Sequence, residues 1–322
     1  MNSRKQQAVL LLLLVCAGRT DALGFSSFTR TLKDWYHRLT AYNDDCNGDW
    51  ISSDGKGVRK GLKDDLARNL FGQHIASEVI MKAVTGFINN DNPKKPLVLS
   101  FHGSSGVGKN LASQLIVKNL YKQGMDSRFV HYFNSVAHFP DHGQVETYKS
   151  QLQHWIRGNV TNCAHSLFIF DEMKNMHPGI IDGLKPFMDY VHKLDGVSYR
   201  KAIFIFLSND GGEIIRRTTF DFLITGKERQ KLKLEDLETD ISSPVVTRGE
   251  SNAVDFFIPF LPLERQHIVK CVLAEMEATG HKPDHNKACD MADEIVLYFP
   301  KDEGGFARFG CKMIAGRLEF FL

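Results

Sequence analysis

The chain has little net charge and no second long apolar run, and each shortage removes a class of function. Its formal net charge is +2 over 322 residues. No basic run interleaves with aromatics, so nothing points to a nucleic-acid partner. Beyond the first 20 or so residues no apolar stretch is long enough to cross a bilayer. No internal period marks a repeat architecture. Six cysteines are present, but none stands in the CxxC spacing of a zinc site, and no structural zinc is expected.

What is present begins with an address. Arg4 and Lys5 precede the apolar run from Ala8 to Ala17, and small residues at Gly18 or Ala22 suit a cleavage site, so residues 1–22 are expected to be a secretory signal peptide. Five cysteines then remain, an odd number: two intrachain disulfides and one spare thiol fit an oxidising lumen. In that compartment Asn159-Val160-Thr161 becomes a glycosylation acceptor pattern. Residues 23–50 form an amphipathic segment, with Phe25, Phe28, Leu32, Trp35, Tyr36 and Leu39 near helical spacing between basic residues. It reads equally as a peripheral membrane contact or as a helix packed on the body of the protein.

The densest chemistry lies at Gly103-Ser104-Ser105-Gly106-Val107-Gly108-Lys109-Asn110. It follows the apolar run Pro96 to Phe101 and opens a helical pattern from Leu111. Glycines there let successive backbone N–H groups face one concavity, the helix N-terminus adds positive potential, and Lys109 reaches the terminal phosphates of a nucleoside triphosphate. Asn110 stands where such loops carry the Ser or Thr whose hydroxyl binds Mg²⁺; its amide oxygen is the remaining ligand. Downstream, Ser166 to Phe170 and Lys201 to Leu207 are nearly continuous apolar runs, as expected of strands buried on both faces of a parallel sheet. The first ends in Asp171-Glu172 and the second in Ser208-Asn209, at the sheet edge where ligands bind. Asp171 suits the water shell of Mg²⁺, Glu172 the polarisation of an attacking water, and Asn209 the orientation of that water. Lys312, in Gly310-Cys311-Lys312, can bring a second cation.

Strands alternating with helices predict a doubly wound α/β domain over residues 51–262, followed by a small helical domain over 263–322. The expected helices include Leu62–Phe71, His74–Ile88, Gln144–Ile156, Glu264–Thr279, Lys287–Tyr298 and a last one near Lys312–Phe320. Lys227 to Asp240 reads as charged and exposed, and Ser242 to Asn252 as a loop.

The order GSSGVGK, FIFDE, IFIFLSN resembles the AAA+ ATPases, and DEMKNMHPGIIDGLKPFMDY resembles the second ATPase domain of Clp-type chaperones. More closely, GxxGxGKN with Asn110, VAHFP, YKSQLQHWIRGN, DGVSYRKAIFIFLSN, PFLPLE and GCK together resemble the torsin family, of the torsin-1 and torsin-2 kind. The resemblance implies an AAA+ P-loop NTPase fold and an ATPase using ATP and Mg²⁺ in the lumen of the endoplasmic reticulum and nuclear envelope. It implies a chaperone-like role and assembly as a homo- or hetero-oligomer. In the site it assigns Lys109 to phosphate, Asp171 and Glu172 to Mg²⁺ and hydrolysis, Asn209 as first sensor and Lys312 as second. It pairs Cys46 with Cys163 and Cys271 with Cys311, leaving Cys289 free. It also implies a membrane-anchored activator, and the sequence offers its own reason for one. Aligned with the Clp pattern NRxDExxxFxPL, the segment from Asn252 to Leu263 has Ala253 at the position of the arginine finger, with Arg248 the nearest substitute.

Overall fold

A computed structural model of the chain describes residues 46–51, 55–237, 253–295, 297–299 and 305–322. The signal segment, nearly all of the amphipathic segment, the loop 242–252 and Arg248 lie outside the described residues.

Strand β1 (Leu97–His102) and strand β4 (Ile203–Ser208) are buried at every position, and β3 (Leu167–Asp171) at all but its last. With β2 (Val130–Asn134) and β5 (Phe256–Pro259) they form one parallel sheet in the order β2-β3-β4-β1-β5. The apolar runs carry no polar alternation because both faces are covered. Odd and even positions of the same strand enter different cores. Leu99, Phe101, Ile169, Ile203 and Ile205 face helices α1 (Gly55–Asn69), α2 (His74–Ile88) and α3 (Lys109–Leu120), in a core that contains Leu62, Ile80 and Ile116. Val98, Phe168, Phe170, Phe204 and Phe206 face helices α5 (Val145–Asn162) and α6 (Pro178–Met188), which supply Ile156, Ile181 and Leu184. A phenylalanine ladder runs across that second face: Phe168 on Phe204 at 5.1 Å, Phe170 on Phe206 at 5.4 Å and Phe133 on Phe170 at 5.2 Å between ring centres. Such aromatic pairs add to simple burial and fix the register.

The chain leaves β1 through α3 to the far edge at β2, returns through β3 to β4, and then crosses to the other side of β1 for β5. Helix α7 (Gly212–Ile224) follows β4. The reversal around β1 opens a crevice at the carboxyl ends of β1, β3 and β4, the place where an open α/β sheet takes its ligand. Between β2 and α5 a short helix α4 (Ser135–His138) precedes Phe139, which is 9% exposed and packs on Phe133 and Tyr148.

After β5 the chain is helical: α8 (Arg265–Ala278) and α9 (His285–Ile295) pack together, followed by a two-residue antiparallel pair of β6 (Tyr298–Phe299) with β7 (Phe306–Ala307). Disulfides join Cys46 to Cys163 and Cys271 to Cys311, and Cys289 is a free thiol. Among the described residues no helix is long and apolar enough to cross a membrane, and no cluster of three or more His, Cys, Asp or Glu side chains suits a metal ion.

Three sequence expectations are corrected. The helix expected near Lys312–Phe320 is a chain of turns closing with a 3-10 turn at Leu318–Phe320. Its donors bond three residues back, Lys312 to Phe309, Ile314 to Cys311 and Arg317 to Ile314, while the Cys311 N–H is spent on another segment. The helix expected over Lys287–Tyr298 ends at Ile295, because Tyr298 pairs with Ala307. The charged stretch from Lys227 is not uniformly exposed: Arg229 is 5% exposed, and Leu232 and Leu237 are core. The Asn159 triplet lies within α5, where the Asn159 amide donates to the Trp155 carbonyl at 2.8 Å.

Candidate functional site

The phosphate-loop sequence folds as its glycines dictate. Gly106 and Gly108 take φ of +76° and +106°, a region costly for other residues, and Gly108 caps α3 from that left-handed conformation. Gly103 lies against Phe260, and a Cβ at Gly103 would fall 2.6 Å from the Phe260 carbonyl oxygen. Helix α7 also crowds the loop, since a Cβ on Gly212 would sit 2.8 Å from the Ser104 nitrogen. Close backbone approach on several sides leaves the loop one shape.

Lys109, 7% exposed, folds back over the loop: its Nζ donates to the carbonyls of Gly103 at 2.7 Å and Ser104 at 2.9 Å and to Asn209 Oδ1 at 2.8 Å. Burial pulls its pKa down to about 8; the charges of Asp171 and Glu172 oppose that shift and Lys312 adds to it. Asn209 arrives from the end of β4, next to β1. His102, the last residue of β1, fixes that loop from below, with Nδ1 3.2 Å from the Asp210 carbonyl and Nε2 2.7 Å from Ser100 Oγ. Burial lowers the His102 pKa to about 4, so it is neutral at physiological pH.

Asp171 ends β3 one strand away. Its Oδ2 accepts from Asn110 Nδ2 at 3.0 Å and from the Tyr132 hydroxyl at 2.6 Å, and its Oδ1 from the Glu172 backbone N–H at 2.7 Å. Burial, reinforced by this carboxylate, raises the Tyr132 pKa to about 12. Of roughly four lone-pair sites on a carboxylate, three are engaged. The donor set therefore fits a Mg²⁺ held through its water shell, with Asn110 Oδ1 as the further oxygen. Glu172 adopts φ of +57°, uncommon for a residue with a side chain. That turn swings it away from the strand direction followed by Asp171.

The C-terminal segment meets the loop from the opposite side. The Cys311 N–H donates to the Gly106 carbonyl at 3.0 Å, and Gly310, at φ of +49°, lies so close that a Cβ there would be 2.2 Å from that oxygen. Lys312 follows, exposed at the mouth of the site. All the residues read from the sequence, from Gly103 to Asn110 with Asp171, Glu172, Asn209 and Lys312, thus gather at one sheet edge. Ala253 lies away from this edge, where its carbonyl accepts from Lys95 at 2.7 Å.

Tyr132 and His102 escaped the sequence reading. Each sits on a strand as an ordinary alternating residue, and nothing local signals its partner. Gln73 also escaped. It is 2% exposed, and its amide donates to Val107 O at 3.0 Å and Leu261 O at 2.7 Å while its oxygen accepts from Leu261 N at 2.7 Å.

A family model described as Torsin matches residues 41–170, and one described as Torsin-1A, C-terminal domain, matches residues 263–321. Among solved structures, the chain is similar to the S. cerevisiae Hsp104–ADP complex, with a TM-score of 0.60 and 17% identity over 81% of this chain and 46% of that one. It is also similar to Hsp104 in a closed state with ATPγS and FITC casein, with a TM-score of 0.52 and 20% identity over 90% of this chain and 48% of that one. The chain spans about half the length of these neighbours, and at such identity the likeness concerns the fold.

Proposed function

Because the chain belongs to the torsin family of AAA+ ATPases, we propose that it binds ATP at the Gly103–Asn110 loop and hydrolyses it when a membrane-anchored partner supplies an arginine. In this reading residues 1–22 are a signal peptide, 23–50 an amphipathic segment, 51–262 the nucleotide-binding domain and 263–322 a helical lid. The protein works in the lumen of the endoplasmic reticulum and nuclear envelope, as a homo- or hetero-oligomer, remodelling protein complexes in a chaperone-like role.

The observation that carries the reading is the buried Lys109 ammonium, held by two loop carbonyls and Asn209 within electrostatic reach of Asp171, Glu172 and Lys312. A cation kept in a fixed pose beside a backbone cradle is a preorganised polyphosphate site. Lys109 is then the cation at the terminal phosphates, and Lys312 reaches them from the lid side. Asn209 orients water. Glu172 takes a proton from that water as its oxygen forms a bond to the γ-phosphorus and the bond to the ADP oxygen breaks. Mg²⁺, when bound with the triphosphate, neutralises charge on its oxygens. Asp171 would hold it through water and Asn110 through its amide oxygen.

Support for an external arginine comes from Ala253 at the finger position. An arginine of this kind is worth on the order of 10³ to 10⁵ in rate, so the chain alone should turn over slowly. A second reading, a nucleotide-gated scaffold with incidental hydrolysis, draws on Asn110 and on the three donors already crowding Asp171.

Steady-state ATP hydrolysis separates the two. The chain is assayed alone and with detergent-extracted membrane proteins of the endoplasmic reticulum and nuclear envelope, with Glu172→Gln as background. Low activity that rises with extract, and is absent in Glu172→Gln although ATP still binds, is the expected result. Tight ATP binding with no rise would favour the scaffold.

A further inference from the structure

Gln73 occupies the N-cap position of α2 but does not cap it: its side chain makes no hydrogen bond to the helix's own amides. Glutamine is also not among the residues preferred there. What its carboxamide does instead is bridge two other segments. It donates to the Val107 carbonyl of the phosphate loop and exchanges two hydrogen bonds with Leu261, where the chain leaves β5 for the helical region. A residue 2% exposed with all three contacts made far from its own helix is placed for those contacts.

The geometry has a consequence for the loop. A peptide unit is planar and trans, so a carbonyl and the following N–H point in opposite directions. With the Val107 carbonyl held by Gln73, the Gly108 N–H is turned the other way, away from the Gln73 side chain. Val107 itself is 3% exposed, so its carbonyl is shielded from bulk water. Flipping this peptide would remove one N–H from the cradle and bury an unpaired oxygen.

The same turn is fastened a second time. Arg229 donates to the carbonyls of Gly72 and Pro262, each at 2.8 Å, and pairs with Glu264 at 3.0 Å. Glu264 and His267 cap α8 reciprocally, and Gly72 lies so close that a Cβ on it would meet the His267 ring at 2.8 Å. The Gly72-Gln73 turn is therefore clamped to the Leu261–Glu264 crossover by one carboxamide and one guanidinium.

We propose that Gln73 is a positioning residue for the nucleotide reaction: it sets the Val107–Gly108 peptide with its N–H toward phosphate and registers the phosphate loop to the crossover that leads into the lid. The proposal rests on the reading that Gly103–Asn110 binds nucleotide. Its test is ADP affinity and backbone hydrogen exchange of the whole chain, for the parent, Gln73→Met and Gln73→Glu. The Met variant keeps length and removes both functions of the amide. The Glu variant keeps the acceptor for Leu261 but turns a carboxylate on two carbonyls, and it carries the test if the Met variant fails to fold.

Expected are an ADP affinity about tenfold or more weaker, in line with an unpaired buried polar group, and faster exchange confined to the phosphate-loop peptide in the nucleotide-free chain. Peptides from β3 and β4 exchange as in the parent. A merely structural role would speed exchange in those strands as well. Parental affinity, within about twofold, in a folded variant overturns the proposal. A parent that binds no ADP brings down the functional reading, and this proposal with it.

Discussion

The phosphate loop is held from two sides by unlike means. On the sheet side the buried side chains of Lys109 and Gln73 fasten it directly, and buried His102 holds the Asp210 carbonyl next to Asn209, the acceptor for Lys109. On the C-terminal side one backbone hydrogen bond from Cys311 and the close approach of Gly310 make the contact, in a segment of turns tied to α8 by the Cys271–Cys311 disulfide. The first side was built by the core and cannot be released without disturbing the sheet. The second is a contact between two backbones at glycines, which a small displacement would break. The shape of the loop therefore belongs to the sheet side, and the C-terminal contact is the weaker of the two.

The largest effect is expected from removing the cation on the sheet side. Lys109→Ala takes away the cation that the proposed function sets at the phosphates, and with it the charge-assisted hydrogen bonds to their oxygens. Each such bond is worth roughly 1.5–3 kcal/mol, so nucleotide affinity should fall more than about a hundredfold, measured by equilibrium titration with ADP. An affinity within about tenfold of the parent would mean that phosphate is bound elsewhere.

Gly310→Ala probes the other side. At φ of +49° a side chain costs about 1 kcal/mol, and the new Cβ would meet the Gly106 carbonyl 2.2 Å away, so the backbones must part. The segment 305–322 should exchange its amide hydrogens faster and ADP affinity should fall about tenfold, an intermediate loss. The β1 and β4 peptides should keep their protection. If they lose it, the two sides are one unit.

The contrast also explains what could be read in advance. Lys109, Asp171 and Glu172 were legible because each belongs to a short motif attached to a strand, and continuous apolar runs such as Ile203 to Leu207 identify strands covered on both faces. The C-terminal turns were not legible. The apolar residues Ile314, Leu318 and Phe321 have helical spacing, but the Cys311 amide is drawn off to Gly106 and the helical ladder never starts. Arg229 reads as surface because its neighbours are charged; its partners Gly72 and Glu264 lie 157 and 35 positions away. Gln73 meets Leu261 across 188 positions. Long-range polar contacts of single residues leave no periodic trace, whereas burial and local motifs do.

The smallest effect is one of titration, and it tests whether the sheet side is as dry as its burial implies. Lys109 has its pKa lowered to about 8 by burial. A bound polyphosphate favours the ammonium, so the bound state holds the proton more tightly than the free state. Binding is then coupled to proton uptake once the free lysine begins to lose its proton. Affinity for ADP should stay level up to about pH 7 and decline above about pH 8, by less than about tenfold per unit for one linked proton. An exposed lysine with its ordinary value near 10.4 would hold affinity level through about pH 9.5. The same titration on Gly310→Ala sharpens the comparison, because loosening the C-terminal side admits water to the loop and relieves the desolvation of Lys109. The decline should then begin at higher pH than in the parent. An unchanged profile would mean that the C-terminal segment contributes nothing to the dryness of the site.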